Sequence, residues 1–253
     1  MKNYKILLAY DGGRYNGWQK QGNTENTIQE RLERILSEIA GEEAEVFGSG
    51  RTDAGTHATG QVMNFHINWQ ATAEELLAAF NEKLPEDIAG LSIAEMPPRF
   101  HSRLSAKGKH YAYTIWNSKR PPVFWRKYAF WCKEALDVEK MQAAARFFPG
   151  EHDFKSFCAN KRMKKSTVRR LDEIGFEQKG DRLILHFYGN GFLYQMVRIL
   201  VGTLIEVGEG KRQPEEMSEI LREKSREAAG FTAPSRGLCL REVFYTEEAK
   251  GGE

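Results

Sequence analysis

Residues 1–104 alternate between two hydrophobic periods, and the order of those periods limits the folds open to the chain. Residues 2–10 (KNYKILLAY) form a short apolar run of strand length. Thr27-Ile28-Gln29-Glu30 predicts a capping box, after which Ile28, Leu32, Ile35, Leu36 and Ile39 fall on one helical face until Gly41 stops the helix. Strand-like stretches follow around 45–49 and 61–67. A second capping box, Thr72-Ala73-Glu74-Glu75, opens a helix that turns Leu76, Leu77 and Phe80 inward, and 88–96 predicts another strand before Pro97-Pro98. Strand, helix, strand, strand, helix, strand is the split βαβ pattern of a ferredoxin-like sheet with helices on one face. In that topology the connection between the second and third strands sits at one end of the sheet.

Residues 105–253 mix the same ingredients. Positions 109–117 alternate, with Tyr111, Tyr113 and Ile115 on one face, and 127–132 predicts a second strand. Asp137 caps a helix carrying Met141, Ala144, Ala145 and Phe148, which Pro149-Gly150 terminates. Strands at 167–178 and 183–188 flank a Lys179-Gly180-Asp181 turn. Residues 192–205 are apolar on nearly every side, so they predict a buried helix with Arg198 as the one charge in its middle. A guanidinium there either snorkels to the helix edge or requires a carboxylate or phosphate partner. A shorter helix after Pro214, a closing strand at 239–245 and a fraying polar tail at 247–253 complete the chain. The expectation is an α+β protein with an N-terminal domain at 1–104, a C-terminal domain at 105–253 and a cleft shared by the two halves.

The connection at 47–60 is the most informative stretch. Phe47-Gly48-Ser49-Gly50-Arg51-Thr52-Asp53-Ala54-Gly55-Thr56-His57-Ala58-Thr59-Gly60 packs four glycines around a charged core in which Asp53 is the one acid. Glycines at that density let backbone approach a ligand. A carboxylate beside Arg51 and backbone N–H groups stays ionised, as a nucleophile or general base must. The competing reading is a tight hairpin whose aspartate caps its own turn.

Charge distribution bears on the partner, because the net charge of +2 does not. Between Phe154 and Leu171 stand Lys155, Lys161, Arg162, Lys164, Lys165, Arg169 and Arg170 with no acid among them. Arg99, Arg103, Lys107 and Lys109 form a sparser basic stretch interleaved with Phe100, His101, His110 and Tyr111. Such segments attract phosphate and offer rings for base stacking; the alternative is a solvated face. Cys132, Cys158 and Cys239 are widely spaced, which predicts neither a disulfide framework nor a metal site. No segment is long enough to span a bilayer and the N-terminal apolar run is too short for a signal peptide, so the expected location is the cytoplasm.

Gly50-Arg51-Thr52-Asp53-Ala54-Gly55-Thr56-His57-Ala58 closely resembles the catalytic motif of the TruA family of tRNA pseudouridine synthases, with Thr56 where the family usually has Val. Further stretches resemble that family in the same order. They are Lys109-His110-Tyr111-Ala112-Tyr113, His152-Asp153-Phe154, Thr167-Val168-Arg169-Arg170, the run from Gly191 to Arg198, Gly202-Thr203-Leu204 and Thr232-Ala233-Pro234.

The resemblance implies two ferredoxin-like or RRM-like α/β domains sharing a continuous antiparallel sheet, with a central active-site cleft. It implies a homodimer that binds tRNA and isomerises uridine to pseudouridine at positions 38, 39 and 40, with no cofactor and no metal. It assigns Asp53 as the catalytic aspartate, Tyr111 as the ring against the target base, Arg198 as the partner of the aspartate and Arg51 as a residue near the flipped nucleotide. Lys161, Arg162, Lys164, Lys165, Arg169 and Arg170 are the candidate RNA-binding residues. Whether the carboxylate attacks the ribose or abstracts a proton from it stays open. So do a related synthase acting on another RNA such as rRNA, a non-catalytic RNA-binding chaperone and a base-excising N-glycosidase.

Overall fold

The computed structural model describes residues 1–160 and 162–246; Lys161 and the tail from Glu247 lie outside the described residues. In chain order the first elements are β1 (Lys2–Tyr10), α1 (Ile28–Ala40), β2 (Val46–Gly48), β3 (His57–Ile67), α2 (Ala73–Lys83) and β4 (Ile88–Met96). Then come β5 (Gly108–Asn117), β6 (Phe130–Cys132), α3 (Val138–Ala145), β7 (Gly150–Asp153), β8 (Val168–Lys179) and β9 (Arg182–Gly189). The last are α4 (Met196–Gly208), α5 (Glu216–Glu223) and β10 (Leu238–Phe244). The class is mixed α+β. The chain divides into two compact units, Met1–Lys107 together with the segment from Cys239, and Gly108–Leu238. The last strand therefore groups with the first unit rather than the second half, and Cys239 and Leu240 pair in parallel with His57 and Ala58.

In the first unit β1 lies between β3 and β4, and β2 adds to the far side of β3; these three pairings are antiparallel. That order is the one the alternation of periods predicts. Ile6, Leu8, Leu32, Leu36, Phe65 and Phe80 are fully buried in its core, each worth roughly 1.5–3 kcal/mol of transfer free energy. Thr27 caps α1 by accepting from Glu30 N–H, and Gly41 ends the helix at φ +67°. The reciprocal half of that capping box is replaced, because the Glu30 carboxylate pairs with Lys20 at 3.2 Å. The box at Thr72 and Glu75 is complete. Strand β3 begins at His57, earlier than predicted, so the connection from β2 shortens to Ser49–Thr56.

The second unit orders its strands β6-β5-β9-β8-β7, with β6 parallel to β5 and the other pairs antiparallel. Helix α4 is buried along almost its whole length and packs against α3, where Gly208 admits Met141. Three boundaries differ from the sequence expectation. Residues 123–128 are turns, so only Phe130–Cys132 of the predicted 127–132 strand forms. Helix α3 stops at Ala145, where Phe147 and Phe148 N–H bond to Ala144 and Ala145 carbonyls in a tightened last turn. The buried helix starts at Met196, because Gln195 sits at φ +59°.

Candidate active site

The Ser49–Thr56 connection is built so that the backbone on both sides of Asp53 is held by hydrogen bonds. The Thr52 carbonyl accepts Trp18 N–H at 3.0 Å, and the Thr52 hydroxyl meets Tyr10 OH at 2.9 Å. Burial pushes the Tyr10 phenol well above its ordinary pKa, so it stays a neutral hydrogen-bonding group. Gln61, fully buried on β3, donates to Gly50 O at 3.0 Å and accepts from Ser49 Oγ at 2.6 Å. On the other side Thr56 N–H bonds to Asp53 O at 3.0 Å, and Gly55, at φ +75°, donates to Tyr15 O at 3.3 Å. The turn thus closes through the Asp53 backbone carbonyl. Gly12 and Gly17 make the close approach possible: a Cβ on Gly12 would lie 1.9 Å from Thr56 O, and one on Gly17 2.8 Å from Thr52 O.

Within this frame the Asp53 side chain is half-buried and Arg51 is exposed. A carboxylate on so constrained a backbone loses little freedom when a substrate arrives, which is the property that positioning catalysis requires. His57 looks like part of the same charged core in the sequence, but it stands on β3, buried. Its Nδ1 accepts Gly12 N–H at 3.1 Å and lies 3.0 Å from Asp11 Oδ1. Thr56 Oγ1 is buried with no hydrogen-bond partner.

Tyr111 and Arg198 belong to the second unit. Tyr111 on β5 is buried and meets Phe192 edge-on, with ring centroids 5.2 Å apart. Arg198 is half-buried on α4 and its Nε donates to Ala233 O at 2.7 Å, while Ala233 N–H donates to Arg198 O at 3.1 Å. This clamp explains the Gly202-Thr203 and Thr232-Ala233-Pro234 pieces of the sequence pattern. A Cβ on Gly202 would lie 1.9 Å from Phe231 O, Thr203 Oγ1 accepts Gly230 N–H, and Pro234 O accepts the Tyr113 hydroxyl.

The basic segment is heterogeneous. Arg162, Lys164 and Lys165 are exposed, whereas Lys161 lies outside the described residues. Arg169 turns back on Ser166 O and Val168 O, with burial lowering its pKa, and Arg170 pairs with Asp172 at 2.8 Å. Lys164 and Lys165 line a cavity of about 740 Å³ together with Lys155, Lys224 and Arg226. Lys224 and Arg226 were not apparent from the sequence, because they stand among acids beyond α5 and join the basic run only through the fold. Among the described residues no group of three or more His, Cys, Asp or Glu is placed to hold a metal ion. No helix among them is long and apolar enough to cross a membrane.

An α+β chain with a carboxylate on a loop fixed by buried hydrogen bonds and close glycine contacts, and with an exposed basic segment, has the parts of an enzyme that acts on a nucleic acid. The chain belongs to the tRNA pseudouridine synthase family, which it matches over residues 6–104 and 144–246. It is 45% identical to the tRNA pseudouridine synthase A of Bacillus sp. (strain KSM-64), an alignment covering 97% of this chain and 100% of that one. It is 46% identical to the protein of that name from Halalkalibacterium halodurans over 94% of this chain and 90% of the relative, and 44% identical to that of Geotalea uraniireducens over 97% and 100%. The protein is an isomerase, a pseudouridine synthase of tRNA modification.

Proposed function

We propose that this enzyme converts uridine to pseudouridine in the anticodon stem-loop of tRNA, at positions 38, 39 and 40, acting in the cytoplasm as a homodimer without a cofactor. The observation that carries the reading is the Asp53 loop, whose backbone is fixed on both sides by Thr52, Gln61 and Tyr15 in a motif that matches the family's catalytic run. In the reaction uracil leaves C1′ of its ribose, turns over and rejoins through C5, so it must be held while detached. A single carboxylate suits this isomerisation, whereas glycoside hydrolysis ordinarily uses two.

In this reading Asp53 acts on the ribose, Tyr111 stacks on the uracil, Arg51 lies by the flipped nucleotide and Arg198 supplies the positive charge that keeps the carboxylate ionised. Extracting the base from its stack costs a few kcal/mol. Phosphate contacts from Arg162, Lys164, Lys165 and their neighbours offset that cost.

The test is pseudouridine mapping on unmodified tRNA and rRNA with wild type and Asp53→Asn. The expected outcome is signal at the anticodon arm that falls at least about 10³-fold in the variant while RNA binding persists. An active Asp53→Asn enzyme would sink the assignment, and an Asp53-dependent signal confined to rRNA would replace the substrate. Free uracil in the product would point to a glycosidase. Sedimentation across a dilution series tests the dimer.

A further inference from the structure

Arg198 does not set its own direction. Its Nε donates to Ala233 O, and a single Nε–H so committed leaves the Nη groups as the edge that a carboxylate would meet. Where the guanidinium points therefore depends on where the backbone around Ala233 lies. Residues 230–233 form no helix or strand of their own and are laid along α4 by the helix's own side chains. Thr203 Oγ1, fully buried, accepts Gly230 N–H at 2.9 Å, and Glu206 Oε1 accepts Phe231 N–H at 3.1 Å. The other oxygen of Glu206 pairs with Arg212 Nε at 2.5 Å, which holds the carboxylate from its far side. Ala233 N–H to Arg198 O, at 3.1 Å, is the third attachment. The fit is close. A Cβ on Gly230 would lie 2.8 Å from both Glu206 Oε2 and Thr203 Cα, and one on Gly202 would collide with Phe231 O.

We propose that Glu206 is a positioning residue for the isomerisation: through Phe231 N–H it holds the 230–233 backbone, and through Ala233 O that backbone aims the Arg198 guanidinium. Glu206 stands eight residues after Arg198, ~12 Å further along the helix axis, so its influence runs through the segment rather than by contact. A plain ion pair with Arg212 would leave both Glu206 oxygens on the guanidinium side, whereas here one of them is spent on a backbone N–H. Arg212 Nη1 also lies 3.7 Å from Glu216 Oε2, so Arg212 keeps a partner when Glu206 is changed. This rests on the reading of Arg198 as the charge that keeps Asp53 ionised, and it adds to that reading a residue remote from the reacting atoms.

The test is a double-mutant cycle on the single-turnover rate and KM for an unmodified tRNA transcript, with Glu206→Ala and Arg198→Lys made singly and together. Glu206→Ala is expected to lower the rate about tenfold with KM within about twofold of wild type, as a misplaced charge should. Glu206→Gln keeps an acceptor for Phe231 N–H and is expected to recover at least about half of the wild-type rate. In the Arg198→Lys background a flexible ammonium replaces the fork that Ala233 O orients, and there Glu206→Ala is expected to cost less than about twofold. Equal losses in both backgrounds would make Glu206 a structural residue acting independently of Arg198 and overturn the inference, as would a rise in KM alone or a rate unchanged by Glu206→Ala. Gly230→Ala displaces the same segment with every hydrogen-bonding group in place, so it replaces Glu206→Ala in the cycle if that variant does not fold. A wild type that forms no pseudouridine, or an Arg198→Gln enzyme with the wild-type rate, would instead overturn the reading on which the inference rests, and the inference with it.

Discussion

Two connections between strands, Ser49–Thr56 in the first unit and 154–167 in the second, carry the candidate chemistry and are held in opposite ways. The first is locked by hydrogen bonds around Asp53: Trp18 N–H and Gln61 Nε2 donate to the Thr52 and Gly50 carbonyls, Gly55 N–H donates to Tyr15 O, and the Thr52 hydroxyl meets the Tyr10 hydroxyl. The second is enclosed at its start, where Phe154, Ser156 and Phe157 are fully buried and Ser156 Oγ donates to Ile220 O, and among its later described residues Arg162, Lys164 and Lys165 stand in solvent. On the proposed reading, the difference follows from what each would do. A reacting carboxylate loses rate when displaced by an ångström, whereas a phosphate-binding cation acts over several ångströms and needs only to be near. Rigidity is concentrated where position matters.

The comparison breaks most sharply at Gly12. A Cβ there would collide with the Thr56 carbonyl, a backbone atom that cannot turn aside. Gly12→Ala is expected to lose about 3 kcal/mol in urea denaturation and most of its turnover. A variant with native stability would show that the loop is looser than its contacts suggest. Gln61→Leu comes next. It removes the partner of Ser49 Oγ, Gly50 O and Tyr10 OH inside the core, so a loss of roughly 2 kcal/mol is expected, with kcat falling more than KM rises.

Thr56 is the one place where the rigid loop carries a defect. Its hydroxyl is buried without a partner. Thr56→Val keeps the shape and removes the orphaned oxygen, so it is expected to stabilise the protein by about 1 kcal/mol and raise Tm by a few degrees. An unchanged or lowered Tm would mean the hydroxyl is satisfied in solution.

Much of this was legible in the sequence, and the residues show why the rest was not. The strand and helix order of the first unit is readable because its periods are local: Leu32 and Leu36 share a helical face, and the Thr72 box closes within four residues. Asp53 stands out by its glycine setting. Its fixing partners do not, since nothing in the run around Gln61 or Tyr10 says that both side chains turn toward the same loop. Glu30 fits a capping box, yet Lys20 claims it through a contact set by the fold. His57 reads as part of the charged core around Asp53, but it stands on β3 with its Nδ1 accepting Gly12 N–H. Lys224 and Arg226 become part of the basic cavity only by folding, and the Phe124 segment was predicted in part as a strand, which hid its exposed rings.

The smallest effect belongs to the looser region and measures how loosely it is held. Asp153, at the end of β7, accepts from the Thr167 hydroxyl at 2.5 Å and Lys155 N–H at 3.2 Å, and pairs with Lys224 at 3.0 Å. Partial burial by itself raises its pKa, but the Thr167 and Lys224 contacts outweigh it and hold the carboxyl below its ordinary 3.8. A depressed folded-state pKa gives stability that is present above pH 3.8 and lost as pH falls through the folded value. Asp153→Asn is therefore expected to lose less than about 1 kcal/mol at pH 7, as a partly exposed pair should. The gap from wild type should narrow in urea titrations once the pH is taken below 3.8. A gap that does not narrow below pH 3.8 would mean the carboxylate's charge is not what ties β7 to the basic segment, and a gap of several kcal/mol at pH 7 would make that segment as firmly held as the Asp53 loop.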